Sequence, residues 1–492
     1  MQPPTRPCPV LPDEIIQDEI LARLPAKSAL RCRCLSRAWA AALSSDDFAD
    51  RHHSIHGGLP KILRLQDYPY DHDQEAKLYD VGGDGRAPPT IGIPIAITTG
   101  CFPRFITASW DPPPPAESCP THPCLVTVQC RGLVLLELIP TGIHVLCNPS
   151  TGQKRALPEG RTTGCRRPQD AAHRYASLGL GYDARVRRHK VVRVYYHGEP
   201  DGRGRPTSVG CEVYVVNGAA AESWRTVRSR PVDCWLEPYT PSAFAQGHVY
   251  WLAHRKHDSP CTLEEMIIVS FSVCEETFAI VPAPPSGMDG EALNKRFCLA
   301  ELAGNLSFFP GGRYHGHYHR YDVWILRGCG SSALWDLYCR IDECTASPEV
   351  NCFMRGRYNN YNSVNVIPLA IIGNGRHILL MQDDCPEDIW VYVPSTGDIE
   401  MLLDLKSGDT DNVKNIFLQI AVYEESVACL GRQPCRDIIL TSSPSTQALS
   451  LVLRLLPKRT LGMLMCVCRS WHTLVAADIY HARPALELRG AS

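Results

Sequence analysis

From residue 125 to residue 403 the chain keeps returning to one pattern, a short run of Val, Ile, Leu, Tyr and Trp halted by Gly, Pro or Asp. "LVTVQCRGLVLLEL" (125–138), "HKVVRVYYHG" (189–198), "CEVYVVNG" (211–218), "GHVYWLAH" (247–254), "MIIVSFSV" (266–273), "YDVWILRG" (321–328), "HILLMQD" (377–383) and "DIWVYVPSTGDIEMLL" (388–403) all follow it. β-Branched and aromatic side chains pack well on a pleated surface, and runs of roughly four to eight residues between turn formers suit strands. Proline clusters at "APPTIGIP", "WDPPPPAESCPTHP" and "VPAPPSG" add breaks that neither a helix nor an inner strand tolerates. The middle of the chain is therefore expected to be all-β.

Two internal echoes say how those strands are arranged. "NPSTGQKRAL" (148–157) returns as "VPSTGDIEML" (393–402), and Pro followed by Gly in so short a link predicts a hairpin in each case. "EVYVVNGAAAESW" (212–224) returns as "DVWILRGCGSSALW" (322–335): a strand, a small-residue link, then a strand opening on tryptophan. Antiparallel units repeated from about residue 61 to about 430 suggest radial repetition, a β-propeller-like domain, rather than one sandwich. The echoes do not count the blades.

Bulk properties narrow the partners. Of 492 residues, 44% are apolar and 21% charged, and the formal charge is -2. That balance gives no electrostatic footprint for nucleic acid or for an anionic membrane. No run approaches the roughly 18 apolar residues of a membrane span, and "MQPPTRPCPVLPDEIIQ" reaches acidic residues with no apolar core of a signal peptide. The 23 cysteines are odd in number and scattered in a chain too long to need a disulfide framework. The expectation is a soluble protein of cytoplasm and/or nucleus with reduced thiols.

The ends read differently from the middle. Ile16, Ile20 and Leu24 recur at helical spacing behind Pro12, Asp13 and Glu14, so the pattern predicts a helix that stops before Pro25. A second short helix is expected over 27–32, and 36–43 and "SSDDFADRHH", with serine caps ahead of Phe48, continue the pattern. About 45 residues hold little core alone, which implies a partner surface.

These residues resemble a family. "LPDEIIQDEILARLPAKSALRCRCLSRAWAAAL" is similar to the F-box, the helical motif that docks substrate receptors onto the Skp adaptor of a cullin-RING (SCF) ubiquitin ligase, with Leu11, Pro12, Ile20, Leu21, Leu24, Pro25, Ser28, Cys34, Ser36 and Trp39 at the family's positions. "CRGLVLL", "CNPSTGQKRALP", "LGLGYD", "ESWRTV", "GHVYWL", "IIVSFSVCEETFAIVPAPP", "YDVWIL" and "WVYVPSTG" resemble the kelch-related, F-box-associated domain of large plant families. The resemblance implies an α+β multidomain chain: a helical F-box at 1–56, an F-box-associated β-propeller-like domain at 61–430 and a second helical F-box-like segment at 444–492. It implies adaptor contacts at Leu11, Pro12, Ile16, Ile20, Leu21, Leu24 and Pro25, with Trp39 packing the helices on one another. The implied partners are a Skp-family adaptor, through it cullin and RING proteins, and an unknown target bound by the propeller. The implied role is that of a non-catalytic receptor without cofactor or metal.

The second F-box-like segment rests on a shift of 432 residues, which lays Leu21 on Leu453, Leu24-Pro25 on Leu456-Pro457, Cys34 on Cys466 and Trp39 on Trp471. Its start departs from the pattern: "SPSTQA" stands in place of "LPDEII", so Pro444 survives while the leading leucine and the isoleucines do not. The copy reads as a working site, a degenerate element that packs on the propeller, or a fusion with a neighbouring gene.

Other reactive side chains in the sequence have plainer readings than chemistry. His315, His317 and His319 alternate, so in a strand they share a face, but the outer two would lie about 13 Å apart, too far for one ion, and a polar loop is the simpler reading. Cys32/Cys34 and Cys466/Cys468 fall two apart in helices, poor geometry for chelation. "RTTGCRRPQDAAHR" (161–174) and "ARVRRHK" (184–190) read as solvated loop faces ahead of a pocket for an acidic or phosphorylated degron. The alternatives from other classes are a kelch-type propeller oxidoreductase and a lectin-like ligand-binding protein; neither accounts for the helical N-terminus.

Overall fold

The structure is a computed structural model that describes residues 20–34, 37–57, 60–67, 75–80, 92–93, 122–127, 129–139, 143–160, 176–200, 206–218, 223–231, 233–237, 240–255, 266–284, 292–314, 318–328, 333–355, 366–373, 375–382, 388–404 and 417–430. It forms two compact units, residues 1–59 with 150–153 and 425–492, and residues 60–149 with 154–424.

The larger unit is β-propeller-like, with six antiparallel sheets among the described residues. The first holds β1 (Lys61–Asp67), β2 (Glu75–Asp80) and β3 (Gly92–Ile93). The second runs β4 (His122–Leu125), β5 (Val134–Ile139), β6 (Ile143–Asn148), β7 (Gln153–Ala156), and the third β8 (Ala176–Asp183), β9 (Arg188–Pro200), β10 (Pro206–Val215), β11 (Arg225–Val227). The fourth has β12 (Cys234–Leu236) and β13 (Ala243–Ala245) both pairing β14 (His248–Arg255), then β15 (Met266–Ser272) and β16 (Thr277–Val281). The fifth runs β17 (Ala292–Leu302), β18 (Asn305–Tyr314), β19 (Tyr318–Arg327), β20 (Leu334–Asp342), and the sixth β21 (Val366–Ile372), β22 (His377–Gln382), β23 (Asp388–Val393), β24 (Asp398–Asp404). The last strand, β25 (Phe417–Tyr423), returns to the first sheet and pairs antiparallel with β1 from Lys61↔Tyr423 to Asp67↔Phe417.

Sheet packing explains why the strands read as continuous apolar runs instead of clean alternation. Successive side chains point to opposite faces, and here both faces are covered. Trp251 joins Val192, Val213 and Val269 in the seam between the third and fourth sheets, while its neighbour Tyr250 joins Phe308 and Trp324 in the seam between the fourth and fifth. Phe309 then joins Leu380 and Tyr392 in the seam to the sixth, where helix Pro348–Arg355 contributes Val350, Phe353 and Met354. Ile62 of β1 packs with Leu379 and Val391 of the sixth sheet. "LGLGYD" has a packing reason too: a Cβ on Gly179 would lie 2.4 Å from Val249 Cγ1 and 2.5 Å from Trp251 Cζ2, so only glycine lets β8 meet the fourth sheet.

The four echoed segments are all third-to-fourth-strand hairpins of a sheet: β6–β7, β10–β11, β19–β20 and β23–β24. Their tryptophans do the same job. Trp224 Nε1 donates to the Pro158 carbonyl at 2.7 Å and Trp335 Nε1 to the Pro282 carbonyl at 2.6 Å, each tying an outer strand to the sheet before it. One run needs correction: residues 125–138 are not one strand but two. Arg131 and Gly132 take positive φ (46° and 79°) and turn β4 back into β5, and Gln246-Gly247 and Ala303-Gly304 repeat the device. Left-handed residues at both turn positions match the twist of the strands they join.

First-to-second and third-to-fourth turns of an antiparallel meander leave by the same end, and contacts between sheets agree. Gln246 Nε2 donates to Asn305 Oδ1 at 2.9 Å, and Lys190 Nζ reaches Glu276 Oε1 at 2.9 Å. The longer stretches of sequence, such as those between β7 and β8, β14 and β15, and β24 and β25, join strands at the opposite end.

Candidate functional site

The helical unit opens with a 3-10 turn, Leu21–Arg23, followed by α1 (Ala26–Arg31), a 3-10 turn at Cys32–Cys34, α2 (Arg37–Ala42) and α3 (Asp46–His56). Ser45 caps α3 by accepting the Phe48 N–H at 3.1 Å, with Asp46 and Asp47 in the first turn beside the positive helix end. Ala22, Ala26 and Ala29 are fully buried, and Leu30, Trp39, Leu43 and Phe48 complete a small core.

Two histidines of α3 pin the start of the unit. His52 Nε2 bonds the Leu24 carbonyl and His56 Nε2 the Ala22 carbonyl, each at 3.1 Å, and the two rings stack at 4.2 Å. His52 is fully buried. Burial, and then the neighbouring His56 ring, hold its pKa down to about 4, so it stands neutral at pH 7.

Of the residues expected to contact an adaptor, Ile20, Leu24 and Pro25 are half-buried, whereas Leu21 is 5% exposed and packs inside the unit. Leu11, Pro12 and Ile16 lie outside the described residues, as do Pro444, Leu453, Leu456, Pro457 and Trp471 of the second segment. Trp39 is buried at 8%. Cys32 is buried and its thiol donates to the Ser28 carbonyl at 3.5 Å; the Cys34 side chain and the second Cys pair are outside the described residues.

Residues 425–430 belong to the same unit, a contribution that sequence reading missed. Glu425 Oε1 accepts the Ala26 N–H at 2.6 Å and Arg33 Nη1 donates to Cys429 Sγ at 3.1 Å. "EESVACL" carries no local signal of these bonds; the one hint is that α1 starts behind a proline, with no capping side chain of its own.

In the propeller the basic "ARVRRHK" stretch divides in two. Arg185 pairs with Glu275 at the surface, but Lys190 is buried between Asp183 (2.8 Å) and Glu276 (2.9 Å), and Arg225 binds Glu276 at 2.7 Å. Lys190 is therefore not part of a solvated face: it closes a charge-balanced network between the third and fourth sheets. Burial works to raise the carboxyls of Asp183 and Glu276, but bonds from Lys190, Arg225 and Cys274 outweigh it and hold both low. A second cluster gathers at the turns: burial, then Glu301, push Glu424 up to about 7, against bonding from Gln129 and the charge of Arg131. Glu424 is thus partly protonated at neutral pH.

His315 and His317, and residues 161–174, lie outside the described residues. Among the described residues no group of three or more His, Cys, Asp or Glu is placed to hold a metal ion, and no helix is long and apolar enough to cross a membrane.

The chain thus has two parts, a small helical module and a set of antiparallel sheets whose last strand returns to the first, and comparison with known families bears on both. The F-box domain model matches residues 9–51 and again 446–481, and the F-box associated beta propeller domain matches residues 116–339. The chain is similar to the Arabidopsis thaliana F-box protein At1g30790, 23% identical over 63% of this chain and 70% of that protein. It is also similar to F-box protein At5g10340 of the same plant, 25% identical over 56% of this chain and 58% of that protein; here the chain spans little more than half of its relative. Among solved structures, the periplasmic gluconolactonase of Pseudomonas aeruginosa is 10% identical over 74% of this chain and 99% of its own, at a TM-score of 0.32, a likeness too slight to bear on function. The chain therefore carries F-box and F-box-associated propeller domains and is similar to F-box proteins of a plant.

Proposed function

We propose that this chain is the substrate-recognition subunit of an SCF ubiquitin ligase, with no bond chemistry of its own. Residues 1–56 dock to a Skp-family adaptor, which links the chain to cullin and RING proteins, and the propeller-like unit, which ends at residue 424 where 61–430 was expected from the sequence, binds a target protein in the cytoplasm and/or nucleus. The observation that carries this reading is the pairing of a matched F-box at 9–51 with a matched propeller at 116–339 in one chain. Half-buried Ile20, Leu24 and Pro25 supply apolar surface that an adaptor would cover. A few such anchors can provide most of the energy of an interface, truncation of a good one costing about 2 kcal/mol or more. The target is brought near the ubiquitin-charged enzyme, and the gain is one of effective concentration.

The match at 446–481 supports a second F-box-like segment at 444–492 whose lost opening anchors weaken any docking there. Co-purification of a Skp-family adaptor with the full-length chain tests the reading. Leu24→Asp is expected to abolish capture without unfolding the propeller, and retention of the adaptor by that variant would assign docking to the second segment. A folded wild-type chain that binds no Skp-family adaptor rules the reading out.

A further inference from the structure

Helix α1 begins without a local cap. Its N-cap is Pro25, which offers no side-chain acceptor, and no acidic residue stands in the first turn. Yet Ala26 and Ala29 are fully buried and Leu30 nearly so, so water cannot serve the freed N–H groups of that end. The Pro25 carbonyl takes the N–H groups of Ser28 and Ala29, at 2.8 and 3.0 Å, leaving Ala26 to find another partner. That partner lies 399 residues along the chain, the Glu425 carboxylate. A charged acceptor at a buried helix start both satisfies the donor and meets the positive end of the helix.

A second tie stands at the other end of α1. Arg33 gives Nη2 to the Leu43 carbonyl at 2.9 Å and Nη1 to Cys429 at 3.1 Å, so one guanidinium joins the end of α2 to the distant segment. The segment is itself well held. Glu425, Ser426, Val427 and Leu430 are all buried, and the N–H groups of Ser426 and Leu430 donate to Ser150 Oγ and Gln153 Oε1 at 3.0 and 3.1 Å, within the same unit.

From this we infer that the first F-box is a split module, completed by a strap, residues 425–430, that follows the last propeller strand. The strap is the acceptor for α1 and the anchor for Arg33, so the F-box motif at 9–51 is not sufficient for an ordered docking unit. Glu425 comes two residues after Tyr423, the end of β25. A chain ending at that strand would therefore keep the entire first F-box sequence and lose its order, which makes docking conditional on the far end of the propeller having been made.

Hydrogen exchange of the full-length chain tests this over residues 21–34, with residues 248–255 and 305–314 as internal controls. Glu425→Ala is expected to speed exchange in 21–34 by roughly tenfold or more, the change that follows from loss of a helix cap, while the control strands keep their rates. Glu425→Gln, which keeps an acceptor but drops the charge, should have a smaller effect. Wild-type rates in 21–34 overturn the inference, and so does equal acceleration in 21–34 and the controls, which marks global loss. If Glu425→Ala does not accumulate as folded protein, Glu425→Gln and Cys429→Ala carry the same test with the same readings. The inference adds to the docking role proposed above, but the readout needs no adaptor. A wild-type chain that binds none ends the ligase reading and leaves the strap intact, whereas a strap variant with wild-type exchange and normal adaptor binding ends the split module alone.

Discussion

The two units close on themselves by different means. The propeller joins its last strand to its first through a continuous backbone ladder, from Lys61↔Tyr423 to Asp67↔Phe417, and backs it with apolar seams between sheets. The helical module closes through a handful of side chains: Glu425, Arg33, and the stacked rings of His52 and His56. Many weak contacts tolerate the loss of one, whereas a few polar contacts at buried positions do not, because each leaves an unpaired group behind. The module should therefore be the more fragile unit, and fragile in a chemically specific way.

The largest expected effect tests the strong side of that contrast. Trp251 is 2% exposed and its Nε1 bonds the Leu178 carbonyl at 3.2 Å, so Trp251→Ala should cost the propeller about 3–5 kcal/mol, read from chemical denaturation. A cost under about 1 kcal/mol would mean the seams are not what holds the sheets.

Lys190→Met probes the one place where the propeller, too, relies on polar closure. Removing the cation leaves Asp183 and Glu276 short of a partner inside the protein and should cost roughly 3 kcal/mol at pH 7. Both carboxyls are depressed in the folded chain, so the stability they add is present above their unfolded values, about 4, and lost as pH falls through the folded ones. The propeller should thus hold until pH drops below about 4.

The module should fail sooner. The pKa of His52 is about 4 when folded, against about 6.5 in an unfolded chain, so acid protonates the unfolded state first. Stability should fall from pH 6.5 downward, by up to about 3 kcal/mol near pH 4. Exchange over residues 46–56 at stepped pH, beside residues 248–255, checks the order of loss, and His52→Gln should remove the pH dependence of the first. If both regions open together, the contrast between the units is broken.

The smallest effect sharpens the reading of the echoed hairpins. Gly397 has φ +77° and open space where a Cβ would stand, so Gly397→Ala should cost only the backbone strain, about 1 kcal/mol by thermal denaturation. A larger loss would mean that the turn also packs.

Local patterns were legible where the cause was local. The PSTG turns, the tryptophan-led outer strands and the Ser45 cap ahead of Phe48 each follow from a few adjacent residues, and each stands in the structure as the sequence reading has it. What escaped was non-local. β25 reads "FLQIAVY", an ordinary apolar stretch, and nothing near it says that its partner is "KILRLQD" at the other end of the domain. Lys190 looked like one more base in an arginine-rich loop because its two carboxylates come one from the adjacent strand and one from the next sheet. Glu425 was invisible for the same reason, since a capping signal is normally sought within a few residues of the helix it serves.

The pairing of β1 with β25 also sets a clock on synthesis. At about 5–20 residues per second, roughly 20–70 s separate the making of Lys61 from that of Tyr423. Throughout that interval the open edge of β1 has no native neighbour, and a bare strand edge is a template for the wrong chain. The nascent polypeptide is therefore most exposed to misassociation at its earliest propeller strand and for the longest time there, so chaperone demand should track the arrival of the final strand rather than of any blade between.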